Sequence, residues 1–312
     1  MEETIKSLID DSFTSAMTLT NSGVPQVPDR YVLPPSQRPV LGSSIGIRVT
    51  TLPVIDLSLL HQPLLRSSVI HEINMACKEF GFFQVINHGI PQSVVKGALD
   101  AATQFFDLPV EEKMLLVSAD VHQPVGKYAE AAHVLHKQLI EAISESLGLE
   151  KNYLEEQTEE GSQVMAVNCY PACPEPEVTL GMPPHSDFGS LTILLQSSQG
   201  LQIMDSNKNW VNVPYIEGAL IVQLGDQVEV MSNGIYKSVI HRVTVNKDYK
   251  RLSFASLHSL PLHKKISPAP ELIDVNNAPA YGKFSFNDFL DYISSNDCVH
   301  QRFIDTLKKS NS

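Results

Sequence analysis

The stretch "MPPHSDFGSLTILLQ", residues 182–196, places two polar side chains at the mouth of an apolar run. His185 and Asp187 are two residues apart, and the Leu and Ile residues that follow have the spacing of a strand. Two interpretations are open. The pair belongs to a turn at a strand edge, or it supplies two ligands of a metal whose third ligand lies elsewhere. A bare His-x-Asp motif is too common to decide between them.

The sequence around this stretch is rich in β signals. Short β-rich runs follow one another after Gly161, from "QVMAVNCY" through "GALIVQLGD" and "IYKSVIHRVTV" to "RLSFASLHSL". Gly, Pro, Asn and Asp separate them, and Asn233-Gly234 is a strong tight-turn signal. Many short antiparallel strands at regular spacing predict a sandwich or barrel, for which a jelly roll is a natural closure.

The flanking parts of the chain have a different sequence pattern. Before the β-rich part, strands at 52–57 and 82–89 alternate with apolar-periodic helices, and the C-terminal part returns to helix. We therefore predict a mixed α+β fold, with a jelly-roll core, an N-terminal α/β region and C-terminal helices. The expected organisation is an extended arm, an N-terminal region, a jelly-roll domain and a helical segment, at 1–50, 51–158, 161–262 and 263–312.

Composition excludes several function classes. A formal net charge of −12 without a basic block argues against nucleic-acid binding, and no apolar stretch is long enough to span a bilayer. The acidic start "MEETIKSLIDD" lacks a signal core, which favours the cytoplasm. Cys77, Cys169, Cys173 and Cys298 form no CxxC pair, so free thiols are expected; Cys169 and Cys173 lack a second pair to complete a zinc site.

Other polar residues fall on β-type patterns where strands predict apolar ones. Arg251 and Ser253 share one face of their strand, while large apolar residues share the other, so the polar face resembles a pocket wall. Asn168 and Tyr170 also share a face, and His241 lies among β-branched residues. Each has an ordinary structural explanation when taken alone: His241 as a core histidine, Arg251 as a surface ion-pair partner.

The conjunction of these residues favours a metal site. His241 lies 54 residues after Asp187, and Arg251-x-Ser253 begins 10 residues after His241. Two histidines and one carboxylate on one face of a metal leave the other positions open, as non-haem Fe(II) oxygen chemistry requires. An arginine held in a barrel suits a bidentate grip on a small dicarboxylate, and a neighbouring serine adds a hydrogen bond.

These motifs as a set resemble the plant soluble Fe(II)- and 2-oxoglutarate-dependent dioxygenases. "PVIDL", "GFFQVINHGI", "FFDLPVEEK", "ISESLGL" and "MSNGIYKSVIHR" resemble further segments of that family, over about residues 25–310. Within the family, the chain is most similar to the flavanone 3-dioxygenase-like and salicylate-hydroxylase-like branch. This resemblance adds to the site inferred from the residues and assigns roles to them.

The resemblance implies a double-stranded β-helix core with Fe(II) as cofactor, 2-oxoglutarate as cosubstrate and ascorbate as reductant. The implied iron ligands are His185, Asp187 and His241, with no catalytic side chain beyond the metal centre. The implied 2-oxoglutarate site comprises Arg251, Ser253, Tyr170 and Asn168. A monomer would hydroxylate a small aromatic or flavonoid-type metabolite, with no nucleic-acid or membrane partner, while 2-oxoglutarate and oxygen yield succinate and carbon dioxide.

The chain departs from the family at one point. Plant members carry a few dozen residues after the segment that matches "SADVHQPV", whereas here "QPVGKYAEAAHVLHKQL" (123–139) continues directly into a long helix at about Val125-Gly126. The helix is expected to start at Gly126-Lys127 without a Ser, Thr or Asp cap before it. The missing stretch forms part of the substrate-pocket wall in the family.

Several functions remain open on the sequence alone. The first alternative is a shortened, catalytically impaired isoform that keeps cofactor binding but has an incomplete substrate pocket. A non-catalytic barrel, a zinc hydrolase with the same three ligands and a relative that uses ascorbate instead of 2-oxoglutarate are further rivals. The zinc hydrolase would leave Arg251 without a role.

Overall fold

The computed structural model describes residues 15–40, 52–109, 112–113, 123–295 and 301–309. Parts of the predicted arm, at 1–14 and 41–50, lie outside the described residues, as do Cys298 and most of "SADVHQPV". The helices with described ends are α1 (Ala16–Asn21), α2 (Arg66–Glu79), α3 (Gln92–Asp107), α4 (Pro124–Ser146), α5 (Tyr153–Thr158), α6 (Asp226–Met231), α7 (Phe286–Ser295) and α8 (Phe303–Thr306). The strands are β1 (Val54–Asp56), β2 (Phe82–Ile86), β3 (Ser162–Tyr170), β4 (Met182–His185), β5 (Leu191–Gln196), β6 (Leu201–Met204), β7 (Trp210–Asn212), β8 (Leu220–Leu224), β9 (His241–Val243) and β10 (Arg251–Ser259).

These strands form two sheets. The larger sheet has the order β1-β2-β8-β5-β10-β3 and the smaller one β4-β9-β6-β7. The β1–β2 pair is parallel, while the other described pairs are antiparallel. The mixed α+β prediction with an antiparallel β-rich second half is therefore confirmed.

The two sheets pack face to face, and helices cover the outside of the larger one. One apolar cluster joins Leu194 and Ile221 of the larger sheet to Ile203 and Val243 of the smaller sheet, so it lies between them. Neighbouring residues such as Val222 point to the opposite side, into a second cluster shared with the helices. Both faces of the larger sheet are thus buried, which accounts for its nearly continuous apolar strands.

The segment before β9 differs from the sequence expectation. The run "IYKSVIHRVTV" predicts a strand, but only His241–Val243 forms one. The reason is Tyr236, which is fully buried; its hydroxyl lies 2.6 Å from the Ser146 hydroxyl and 3.1 Å from Asn74 Oδ1, so packing on helices α4 and α2 overrides strand propensity. Asn233-Gly234 has the positive φ angles of a turn, but it follows helix α6, which the sequence did not predict.

The long helix also begins earlier than predicted. Helix α4 starts at Pro124 rather than at Gly126-Lys127, with Gln123 as the N-cap residue and no side-chain cap hydrogen bond. Proline suits this position because its fixed φ matches the helix and its missing N–H needs no partner there. Four residues later the Tyr128 ring meets Phe254 of β10 edge to face, with ring centroids 5.7 Å apart. The Val125-Gly126 junction is therefore part of a regular first turn.

Candidate metal centre and carboxylate site

The two histidines of the predicted triad lie directly opposite each other on neighbouring strands. His185 ends β4 and pairs with His241, which begins β9. Asp187 follows two residues after His185, and its Oδ1 lies 3.7 Å from His185 Nε2 and 3.6 Å from His241 Nε2. Ligands bound to one metal at about 2.0–2.2 Å are themselves ~3–4 Å apart, so this spacing fits a metal ion. Among the described residues, this is the one His/Cys/Asp/Glu group with metal-ligand spacing.

The second nitrogen of each imidazole is fixed by the backbone. His185 Nδ1 lies 2.9 Å from the Pro183 carbonyl and His241 Nδ1 lies 3.3 Å from the Val239 carbonyl, so each Nδ1–H can donate. That arrangement leaves Nε2 as the lone-pair nitrogen facing Asp187, as in protein metal sites. Burial lowers the pKa of His241, which favours the neutral imidazole that a metal ligand must be.

Close backbone packing holds Asp187. Its carbonyl accepts a hydrogen bond of 2.8 Å from the Asp226 N–H at the start of helix α6. Two residues further, a Cβ on Gly189 would lie 2.3 Å from the His258 carbonyl oxygen, so only glycine fits there. The metal position remains accessible from one side, because the His185 side chain is 36% exposed whereas those of Asp187 and His241 are 8% and 7% exposed.

A buried arginine, which has no carboxylate partner in the described part of the chain, forms the second part of the site. Arg251 is 2% exposed; its Nε donates to the Ser198 carbonyl at 3.0 Å and its Nη2 to Gln196 Oε1 at 2.8 Å. Its Nη1 is buried and has no hydrogen-bond partner among the described residues. A buried, unneutralised guanidinium is costly, so this nitrogen fits the carboxylate of a bound ligand.

The other predicted cosubstrate residues surround Arg251. In the β10–β3 register Arg251 lies opposite Tyr170, and Ser253 lies opposite Asn168, so all four side chains share one face. Tyr170 belongs to the cluster between the sheets, and the Arg251 guanidinium carbon lies 5.2 Å from its ring centroid. Burial raises the pKa of the Tyr170 hydroxyl, which therefore stays a hydrogen-bond donor.

Three residues that shape this pocket were not predicted. Gln196 and Ser198 fix the guanidinium, and Gly200 makes room for it, since a Cβ there would lie 2.9 Å from Arg251 Cδ. Their order along the chain carries only a weak signal: a glutamine at the end of an apolar strand, and a glycine two residues after a serine. Their common role depends on the β5–β10 pairing, which the sequence does not specify.

Comparison with protein-family models gives two matches. Residues 161–259 match the 2OG-Fe(II) oxygenase superfamily, and residues 52–173 match the model described as non-haem dioxygenase in morphine synthesis N-terminal. Flavanone 3-dioxygenase 3 of Oryza sativa subsp. japonica is 38% identical, with 94% of this chain and 100% of that protein covered. The chain belongs to the 2OG-Fe(II) oxygenase family. It is therefore a dioxygenase, an oxidoreductase that uses Fe(II) and 2-oxoglutarate.

Other members of the family are similar over most of their length. The Protein DOWNY MILDEW RESISTANCE 6 of Arabidopsis thaliana is 36% identical, with 84% of this chain and 90% of that protein covered. A crystal structure of JOX2 in complex with 2OG, Fe and JA superposes with a TM-score of 0.83 at 28% identity, covering 96% of this chain and 98% of that one. This structural similarity and the match to the oxygenase family model confirm the jelly-roll core.

This chain lacks residues that aligned relatives have. The alignment with the rice protein extends over 340 residues, whereas 94% of this 312-residue chain is about 293, so about 47 aligned positions have no residue here. For Jasmonate-induced oxygenase 4 of Arabidopsis thaliana, 347 aligned residues and 95% of this chain give about 51 such positions. Their place at Val125-Gly126 stays a prediction from the sequence. Among the described residues, no helix is long and apolar enough to cross a membrane.

Proposed function

We propose that this oxygenase binds Fe(II) through His185, Asp187 and His241 and hydroxylates a small aromatic or flavonoid-type metabolite. The observation that carries the proposal is the buried, unpartnered Nη1 of Arg251 in a barrel that also holds a His-Asp-His triad. A zinc hydrolase would use the same three ligands, but it gives that nitrogen no function. The similarity to flavanone 3-dioxygenases supports the substrate class.

Each part of the site would have a separate task. Bound Fe(II) supplies oxygen-activating redox chemistry in this family, with 2-oxoglutarate as the electron source. Arg251 would bind the far carboxylate of 2-oxoglutarate with help from Ser253, and the Tyr170 hydroxyl would donate a further hydrogen bond. Asn168 would support this face from its position opposite Ser253. The backbone carbonyls of Pro183 and Val239 would hold the imidazoles in the ligating tautomer.

The second candidate function is that of an impaired isoform. It would bind iron and 2-oxoglutarate but close its substrate pocket incompletely, so that 2-oxoglutarate is decarboxylated without a matching product. The observations that favour it are the roughly 47 missing aligned positions and the 36% exposure of His185. The monomeric state, the cytoplasmic location and the use of ascorbate as reductant remain sequence-based proposals.

The test is a reaction reconstituted from purified protein. Flavanones, salicylate and coumarin precursors are supplied with Fe(II), 2-oxoglutarate and oxygen, and succinate and hydroxylated product are measured by mass spectrometry. We expect succinate that depends on both iron and 2-oxoglutarate. Iron-independent turnover, or turnover supported by Zn²⁺, would contradict the proposal; succinate without any product would favour the impaired isoform.

A further inference from the structure

The outward face of the smaller sheet carries a second polar cluster, behind the metal site. Side chains alternate along a strand, so His241 points between the sheets and the next residue, Arg242, points outward. In the sheet register Arg242 pairs with Gln202 of β6, and Gln202 pairs with Asn212 of β7. Arg242 Nε donates to Gln202 Oε1 at 2.8 Å, and Gln202 Nε2 donates to Asn212 Oδ1 at 2.9 Å.

Arg242 is buried, and no acidic side chain of the described ranges pairs with it. It is 4% exposed, and its guanidinium carbon lies 4.1 Å from the centroid of the Trp210 ring. Within the described residues it forms no ion pair, and neither of its Nη groups donates a hydrogen bond. The hydrogen bond to Gln202 and the contact with the Trp210 ring offset only part of the cost of burying this cation. Arg242 is therefore suited to bind an acidic group.

A cavity of about 740 Å³ lies in front of this guanidinium. The N-terminal arm closes its other side, where the Leu33 N–H donates to the Val178 carbonyl at 2.8 Å and Arg38 Nε donates to the Leu33 carbonyl at 2.8 Å. Among the described residues, the cavity lining contains no Asp or Glu, although the chain has a net charge of −12. It does contain four cationic and two aromatic side chains: Arg30, Arg38, Lys208, Arg242, Tyr31 and Trp210.

We propose that this cavity binds a small organic anion with an aromatic body, at a site separate from the metal centre. The acidic group would pair with the free Nη groups of Arg242, because a guanidinium binds carboxylates through two parallel hydrogen bonds. The ring would lie against Trp210 and Tyr31, and Arg30, Arg38 and Lys208 would add positive potential. The volume is that of a small-molecule site rather than of a single ion.

The site can be tested without measuring turnover. Trp210 is the chain's only tryptophan, so its fluorescence reports on this cavity directly. The full chain, loaded with Fe(II) and 2-oxoglutarate without oxygen, is titrated with benzoate, with benzyl alcohol as the neutral analogue and with inorganic phosphate. We expect a saturable change with benzoate and at least about 10-fold weaker binding of the other two, since a charge-assisted pair and an aromatic contact are each lost.

Substitutions test whether benzoate binds in this cavity. Arg242→Gln should weaken benzoate binding about 10-fold or more, and Lys208→Gln about 2- to 3-fold, while the exposed Lys78→Gln control should bind like the parent. Because Arg242→Gln could disturb the Trp210 stack, Arg38→Gln and Lys208→Gln provide independent tests. No saturable change, equal binding of benzyl alcohol or phosphate, or full benzoate affinity in all three cavity variants would overturn the proposal.

Discussion

Two regions of the molecule can be compared: the strands around the triad and the first turn of helix α4. Contacts with the surrounding chain hold the first region more completely than the second. His185, His241 and Arg251 lie on paired strands, and their hydrogen-bond partners are backbone carbonyls or a buried side-chain amide, while Asp187 follows β4 by two residues. Helix α4 starts at Pro124 without a side-chain cap hydrogen bond, and the family resemblance predicts that a longer segment precedes this helix in relatives. Strand pairing thus positions the residues of the cofactor site, whereas the open substrate pocket rests on the predicted deletion.

The largest expected effect is the loss of one metal ligand on the defined side. Asp187→Ala removes the carboxylate that lies within 3.7 Å of both imidazoles and should lower succinate formation by ~10³-fold or more, since the metal chemistry is lost. The protein should still unfold cooperatively. Asp100→Ala, in an exposed ion pair on α3, is the matched control and should keep full activity. Wild-type iron content and succinate formation in Asp187→Ala would rule out the assigned ligand.

Substitution of Arg251 should have the second-largest effect. Replacing it with Ala leaves the far carboxylate of 2-oxoglutarate unpaired in a buried site, at a cost of about 3–5 kcal/mol, or on the order of 10²–10³ in affinity. Arg251→Lys should rescue only part of this, because an ammonium lacks the planar fork and cannot replace the contacts to both Ser198 and Gln196. Anaerobic titration of the iron-loaded protein with 2-oxoglutarate measures both. An unchanged affinity in Arg251→Ala would show that the cosubstrate binds elsewhere.

Gly200→Ala should have a smaller effect of the same kind. The new Cβ would lie 2.9 Å from Arg251 Cδ and 3.2 Å from the Thr244 carbonyl, so the arginine must move. Overpacking of about 1 kcal/mol corresponds to a ~5-fold higher KM for 2-oxoglutarate. Gly97→Ala is the control, because its Cβ would meet its nearest neighbour at 3.8 Å, an ordinary contact. Equal KM values in the two variants would mean that Gly200 does not position the arginine.

Acid should weaken the packing of α4 on the larger sheet. His136 and His258 stack 3.9 Å apart there; burial lowers the pKa of His258 to about 3 and that of His136 well below its usual value. The unfolded chain binds protons near pH 6.5 and the folded chain does not, so stability falls as the pH drops from about 6.5 towards 3, by up to ~1.4 kcal/mol per pH unit for each histidine. Urea unfolding across this range measures the slope.

Substitution of one histidine isolates that contribution. His136→Leu should reduce the pH dependence, because one buried imidazole no longer excludes a proton. His71→Leu, at an exposed position of α2, should leave it unchanged. An unaltered slope in His136→Leu would assign the acid sensitivity to other groups.

The strand period predicted more of this site than the helix and loop signals did. Residues two apart on a strand share a face, so Arg251 with Ser253 and Asn168 with Tyr170 could be grouped from the sequence, and the register places the two pairs opposite each other. Gln196, Ser198 and Gly200 could not be found this way. Their contacts with Arg251 arise only when strands more than 50 residues apart pair.

Tertiary packing also determined the secondary structure at positions where local sequence signals were misleading. The run before His241 has strand propensity, but the burial of Tyr236 among helices overrides it. Helix α4 starts at a proline, two residues before the start that the sequence predicted. The few dozen residues expected to be missing agree in number with the aligned positions that this chain lacks, and their place at Val125-Gly126 stays a prediction.

The comparison between the cofactor site and the substrate pocket is tested most directly by the ratio of succinate to hydroxylated product. The ratio is measured for this chain and for a variant with the family's segment inserted at Val125-Gly126. A complete cofactor site beside an open substrate pocket predicts iron-dependent succinate in clear excess over product, and a ratio that approaches one after the insertion. A one-to-one ratio with tight, selective hydroxylation in the chain as written would contradict the open pocket. The absence of iron-dependent succinate from both proteins would contradict the cofactor site itself.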